Sequence, residues 1–151
     1  MESHSVHSDS DELLRTLAEF RFELRRFLQF SEAAAIGAGL HPQQHQLLLQ
    51  VAGAAPGTDV TIAYVAERLG LKHNSAVELV DRSESTGLLL RSADAIDRRR
   101  TILRVSRKGQ QVLERLSNDH ARELNERAPR LAKALRKIGS YALTSSAGVA
   151  G

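Results

Sequence analysis

Apolar residues recur at Leu13, Leu17, Phe20, Leu24 and Phe27, alternating steps of four and three. Such spacing keeps one apolar stripe on one side of a helix that packs lengthwise against another helix. A subunit interface and an ordinary amphipathic core helix fit this stripe equally well. The pattern fades at "IGAG", where Gly37 and Gly39 loosen the helix, and residues 1–10, rich in Ser, His and Asp, read as a disordered tail before it.

A second helix is predicted from "HPQQHQLLLQVAG", with Pro42 in its first turn, where the missing N–H would have no intrahelical partner. Leu47, Leu48 and Val51 form its buried stripe, and "AAPGTD" follows as a turn. Two shorter helices come next, "TIAYVAERL" and "HNSAVELVDRSEST", joined only by Gly70, Leu71 and Lys72. This is helix-turn-helix spacing. Gly70 supplies the turn, Ala66 lets the helices approach, and Val65, Leu69, Leu71, Ala76 and Leu79 make the shared core.

Beyond Gly87, "LLLRS" and "TILRV" read as the strands of a hairpin whose long polar loop, "ADAIDRRR", projects from the domain. Ser106 is placed to cap a further helix, whose stripe begins at Val112, Leu113 and Leu116 and resumes at Leu124, Leu131, Leu135 and Ile138. Pro129 is expected to split this region into two helices. The organisation is a disordered tail over 1–10, a single domain over 11–140 with its helix-turn-helix and hairpin at about 42–106, and a frayed end over 141–151. The fold class is mainly α, a winged helix-turn-helix with a two-stranded β wing and flanking helices at about 11–36 and 107–140.

With 151 residues, one domain with a sizeable core is expected. No stretch approaches the roughly 20 apolar residues that span a bilayer, and "MESHSVHSDSDE" lacks the basic start and apolar run of a secretory signal. The expected location is the cytoplasm, with no membrane partner. The absence of cysteine excludes disulfides and thiolate metal sites. No nucleophile elbow, phosphate loop, dinucleotide fingerprint or His-Glu-x-x-His is present, so neither an enzyme nor a cofactor is expected. His41 and His45 have the four-residue spacing that places two imidazoles on one helix face, with His120 available as a third. Helix capping by His41, and a place for His45 lining the space between the first two helices and the helix-turn-helix module, are the readings preferred over metal binding.

The charge of +3 is unevenly spread. Residues 1–36 carry seven acidic against four basic side chains, a net of −3, whereas residues 88–115 carry eight basic against three acidic, a net of +5. A basic hairpin beside a helix-turn-helix points to double-stranded DNA, with the second helix in a major groove and the wing at an adjacent groove or backbone. Lys72, His73, Asn74, Ser75, Glu78 and Arg82 are the candidate contacts on that helix. On the wing they are Arg98, Arg99, Arg100 and Arg104. Arg98 is assigned to the minor groove, Arg99 to bracing the loop with Asp97, and Arg100 with Arg104 to phosphates.

"ERLGLKHNSAVELVDRSESTGLL" and "DAIDRRRTILRVSRKG" resemble the recognition helix and Asp-Arg-Arg wing of the MarR family of bacterial transcription regulators, and "GLHPQQHQLLL" resembles its second helix. The resemblance implies a homodimer joined through its first and last helices that binds a pseudo-palindromic operator, more as a repressor than an activator. It also implies a small aromatic or phenolic effector, with Leu17, Phe20, His45 and Leu48 as pocket residues; plain core packing competes for the apolar three. Glu78 stands where many members carry an arginine or another polar donor, and Ser83 where a leucine usually packs under the wing, which leaves that seam looser unless neighbours such as Leu88 fill it. A winged-helix module that binds proteins without specific DNA contact and a metal-responsive regulator are the alternative readings.

Overall fold

The computed structural model describes the backbone of residues 3–147 and the side chains of residues 8–141. Its elements run α1 (Ser3–Gly37), α2 (Pro42–Ala52), α3 (Ile62–Leu69), α4 (His73–Ser85), β1 (Leu89–Ala93), β2 (Thr101–Val105) and α5 (Arg107–Ala147). This is the expected mainly helical winged helix-turn-helix. The chain divides into two compact units, residues 32–119 and the segments on either side of them.

In the winged-helix unit the local signals act as predicted. His41 caps α2, its Nδ1 accepting from the Gln43 N–H at 3.2 Å while Gln44 Oε1 accepts from the His41 N–H at 3.1 Å. Pro42 follows in the first turn. Gly70 ends α3 with φ of 64°, and the Leu71 N–H donates to the Ala66 carbonyl at 2.8 Å. That left-handed residue turns the chain within three positions and sets α4 against α3. Val65, Ala66, Ala76 and Leu79 are buried between the helices, and Leu69 and Leu71 pack at the edge of the same cluster.

The wing strands pair antiparallel, with Leu89 opposite Val105 and Ala93 opposite Thr101. Leu89 and Leu103 point inward and are fully buried with Leu47, Leu48, Leu79, Val65 and Val80. Each such side chain contributes roughly 1.5–3 kcal/mol of burial free energy. The far edge of β2 is held as well, because the Leu103 N–H donates to the Val60 carbonyl at 2.8 Å. Ser106 caps α5, its Oγ accepting from the Gly109 N–H at 3.0 Å and donating to the Gly87 carbonyl. Gly109 has to be glycine because a Cβ there would overlap the Leu88 carbonyl oxygen.

The helical unit pairs α1 with α5. Ser31 meets His120 at 2.7 Å, Glu23 meets Arg127 at 3.0 Å, and Glu12 meets Lys137 at 3.4 Å. One sequence number falls as the other rises, so the helices run antiparallel. Of the predicted seam, Leu13, Phe20, Leu24 and Phe27 are half-buried and Leu17 is exposed. The centre of the buried face is polar instead: Thr16, Glu23 and Ser31 are all buried. Glu23 accepts from Arg127, which also pairs with Glu123 at 2.6 Å, and lies 3.5 Å from Arg130. A carboxylate so enclosed is tolerated only when its charge is matched.

Three boundary expectations are corrected. Residues 3–10, expected as a disordered tail, are the first turns of α1, since extending a formed helix adds a hydrogen bond per residue without a new nucleus. Residues 141–147, expected to fray, continue α5; Met1, Glu2 and residues 148–151 lie outside the described residues. Pro129 does not split the last helix. Its ring frees the carbonyl four residues back, but Asn125 and Pro129 are both exposed, where that group meets solvent rather than core.

Candidate nucleic-acid interface

α4 has two faces. Ala76, Leu79, Val80 and Ser83 are buried, whereas Asn74, Ser75, Glu78 and Arg82 are exposed on the opposite side. Ser75, Glu78 and Arg82 follow the three-then-four spacing that lines up side chains along a helix. Lys72 occupies the N-cap position, and its side chain makes no cap hydrogen bond to the first turn that begins at His73. Free N–H groups and the helix dipole at such an end favour anions. Glu78 and Arg82 have no ion-pair partner among the described residues, so neither is neutralised in place.

Ser83 is fully buried and donates its hydroxyl to the Leu79 carbonyl at 2.8 Å. Leu88 is buried beside this core, and the seam under the wing is closed without a leucine at position 83.

Sequence reasoning missed the clamp between α4 and the wing. Arg91, on β1, pairs with Asp81 and, through Nε at 3.2 Å, with Glu84. These two carboxylates tie the recognition helix to the strand beside it. No periodicity carries such a signal, because Arg91 looks like one polar residue in an alternating strand.

The wing loop is built from aspartates. The Asp94 carboxylate accepts from the Ile96 N–H at 3.0 Å, and the Asp97 carboxylate from the Arg99 N–H at 3.1 Å. The Arg100 N–H donates to the Asp97 carbonyl and the Asp94 N–H to the Arg100 carbonyl, both at 3.0 Å. Asp97 thus shapes the loop through backbone N–H groups rather than by gripping an arginine.

The arginine roles are redistributed. Arg100, expected at a phosphate, pairs with Asp59 at 3.2 Å and Asp94 at 3.6 Å and is the internal brace. Arg99, expected to be that brace, is exposed, and no ion pair holds it, Arg98 or Arg104 among the described residues. Asp59 lies in the turn after α2 and Asp94 at the loop entrance, so Arg100 is the only one of the three neighbours whose position meets both carboxylates.

The four expected pocket residues fall in two places. His45 and Leu48 are buried in the winged-helix core, whereas Leu17 and Phe20 lie on α1 in the helical unit. Two cavities are lined by other residues. One, of about 430 Å³, runs between α1 and α5 past Glu12, Arg15, Glu19, Lys133 and Lys137; the other, of about 390 Å³, lies beside Val51, Val60, Ile102 and Arg104. His41 is engaged as a cap, His45 is buried on α2, and His120 sits edge-on to Phe27 and Phe30 in the helical unit. Among the described residues no group of three or more ligand-type side chains is gathered for a metal. None of the described helices is long and apolar enough to cross a membrane.

A two-stranded wing beside a helix-turn-helix defines the chain as a winged-helix protein. Residues 38–100 match the MarR family model. A candidate transcriptional regulatory protein for the hcr operon of Thauera aromatica is 31% identical over 138 residues, covering 87% of this chain and 81% of that protein. The chain belongs to the MarR family of transcription regulators. Among solved structures it is similar to MepR of S. aureus in complex with DNA, at 17% identity and a TM-score of 0.66 over 85% of this chain and 93% of that one. It is also similar to CouR of Rhodococcus jostii bound to p-coumaroyl-CoA, at 22% identity and a TM-score of 0.62 over 83% and 87%.

Proposed function

We propose that the protein is a cytoplasmic homodimeric repressor that binds a pseudo-palindromic operator, α4 entering a major groove and the wing an adjacent minor groove in each half-site. The observation that carries this reading is the division among the wing arginines. Arg100 is spent on two carboxylates, while Arg98, Arg99 and Arg104 are left unpaired on the same hairpin as Ile102 and Leu103. Unpaired guanidinium groups release counterions when they meet phosphates. Asn74, Ser75, His73 and Glu78 read base edges, and Lys72 and Arg82 contact the backbone. The solved complex of MepR with DNA supports DNA as the partner.

Dimerisation is supported by the apolar surface of the long helices. Leu14, Phe22 and Leu28 on α1 are half or more exposed, as is Leu135 on α5. Side chains of this size recurring along two helices are covered in a partner-forming protein. Release by a small aromatic or phenolic effector completes the reading, supported by the p-coumaroyl-CoA bound to CouR.

Selection of bound duplexes from random DNA by the full chain tests the proposal. An enriched inverted repeat, bound by a species of dimer mass in light scattering, is the expected result. No enrichment overturns it in favour of a protein-interaction module.

A further inference from the structure

We infer that Ile96 is a DNA contact that works beside the wing arginines and adds an apolar, salt-independent component to binding. The inference rests on the DNA-binding reading above. Ile96 is 96% exposed, against 64% for Ile36, the next most exposed large apolar side chain among the described residues. A lone exposed isoleucine is ordinary on a surface. This one stands on a loop that four hydrogen bonds and the two ion pairs of Arg100 hold in one shape.

Its placement fits the minor groove for three physical reasons. The Asp94 carboxylate fixes the Ile96 N–H at 3.0 Å, so the tip is ordered before DNA arrives. Isoleucine is branched at Cβ and stiff about χ1, and little rotamer freedom remains to be lost on contact. Arg98 and Arg99 stand just beyond it without ion-pair partners, and they draw the tip toward the negative potential of a narrow groove. Once there, Ile96 meets deoxyribose walls and base edges, the apolar part of the groove. Inserted apolar side chains of this kind are a recurring device of minor-groove binders. A protein partner is disfavoured because the loop's other apolar residues are alanines, no second large apolar side chain accompanies Ile96 there, and an interface needs about 800 Å² per partner.

The experiment uses the full chain and a duplex that the wild-type protein itself enriches from random DNA, with affinity measured at two salt concentrations. Ile96→Ala is expected to bind about tenfold more weakly at both, which is about 1.4 kcal/mol, with the salt slope unchanged. Ile96→Met is expected to retain most of the affinity, and Ile96→Ala to melt as the wild type does. Arg98→Ala instead flattens the log–log salt slope by about 0.9. Wild-type affinity for Ile96→Ala, a changed salt slope, or a lowered melting temperature overturns the inference and leaves the DNA-binding reading standing. A wild-type chain that enriches no duplex overturns both.

Discussion

Arg100 Nη2 lies 3.2 Å from Asp59 Oδ2, joining the wing loop to the turn after α2 across 41 positions of sequence. The pair is exposed at 44% and 60% of its side-chain surfaces, so its worth to global stability is small, about 0–1 kcal/mol. Its effect is local, fixing the loop that carries Ile96, Arg98 and Arg99. Asp59→Ala is therefore expected to leave the melting temperature almost unchanged while speeding amide exchange at residues 94–100. Unaltered exchange there would show that the aspartate turns alone hold the loop.

The division among the arginines predicts unequal salt effects. Arg98→Ala and Arg99→Ala each remove an unpaired charge and are expected to flatten the salt dependence of DNA binding by about 0.9 in log–log slope if each meets one phosphate. Arg100→Ala, already matched by Asp59 and Asp94, is expected to change it less. Equal slopes for all three variants would contradict the assignment.

Gly109 and Gly139 make a paired test on one helix. A Cβ on Gly109 would overlap the Leu88 carbonyl and lie 2.8 Å from Val105 Cγ1, backbone and core that cannot move aside, while one on Gly139 would meet nothing within 4 Å. Gly109→Ala is expected to destabilise by about 1–3 kcal/mol in urea unfolding. Gly139→Ala is expected to stabilise by up to about 1 kcal/mol through helix propensity.

Two of the ion pairs between α1 and α5, Glu23 with Arg127 and Glu12 with Lys137, differ in depth. Glu23 is buried and matched by Arg127, whereas Glu12 and Lys137 are about half exposed. The Arg127 guanidinium is held above its ordinary value, first by its hydrogen bond to Glu123 and then by Glu23. Glu23→Ala is expected to lower the melting temperature far more than Glu12→Ala, because it strips a partner from an enclosed cation. Similar losses would mean that the helical unit opens to water at its centre.

Tyr141 supplies a pH dependence. Burial, followed by the charge of Glu12 and a hydrogen bond to it, pushes the phenol above its ordinary 10.0. The folded chain then holds the proton longer than the unfolded chain, so the associated stability is complete below pH 10 and is lost as pH rises through the folded value. Wild-type stability is expected to fall more steeply above pH 10 than that of Tyr141→Phe; parallel curves would discount the contact with Glu12.

The order of elements was legible in the chain because its signals are local. Pro42 and His41 start a helix, Gly70 turns one, Ser106 caps one, and alternation marks the hairpin, each through neighbours within a few positions. The exposed face of α4 followed from the spacing of Ala76 and Leu79 on the other side. What tertiary structure alone decided is which charges meet. Arg91 reaches Asp81 and Glu84, Arg100 reaches Asp59, and Arg127 reaches Glu23 across 104 positions. An ion pair depends on where the backbone has carried two side chains, and no periodicity along the chain records that distance. For the same reason Pro129 misled: its cost is set by whether the freed carbonyl faces solvent or core, a property of the packed helix rather than of the residue.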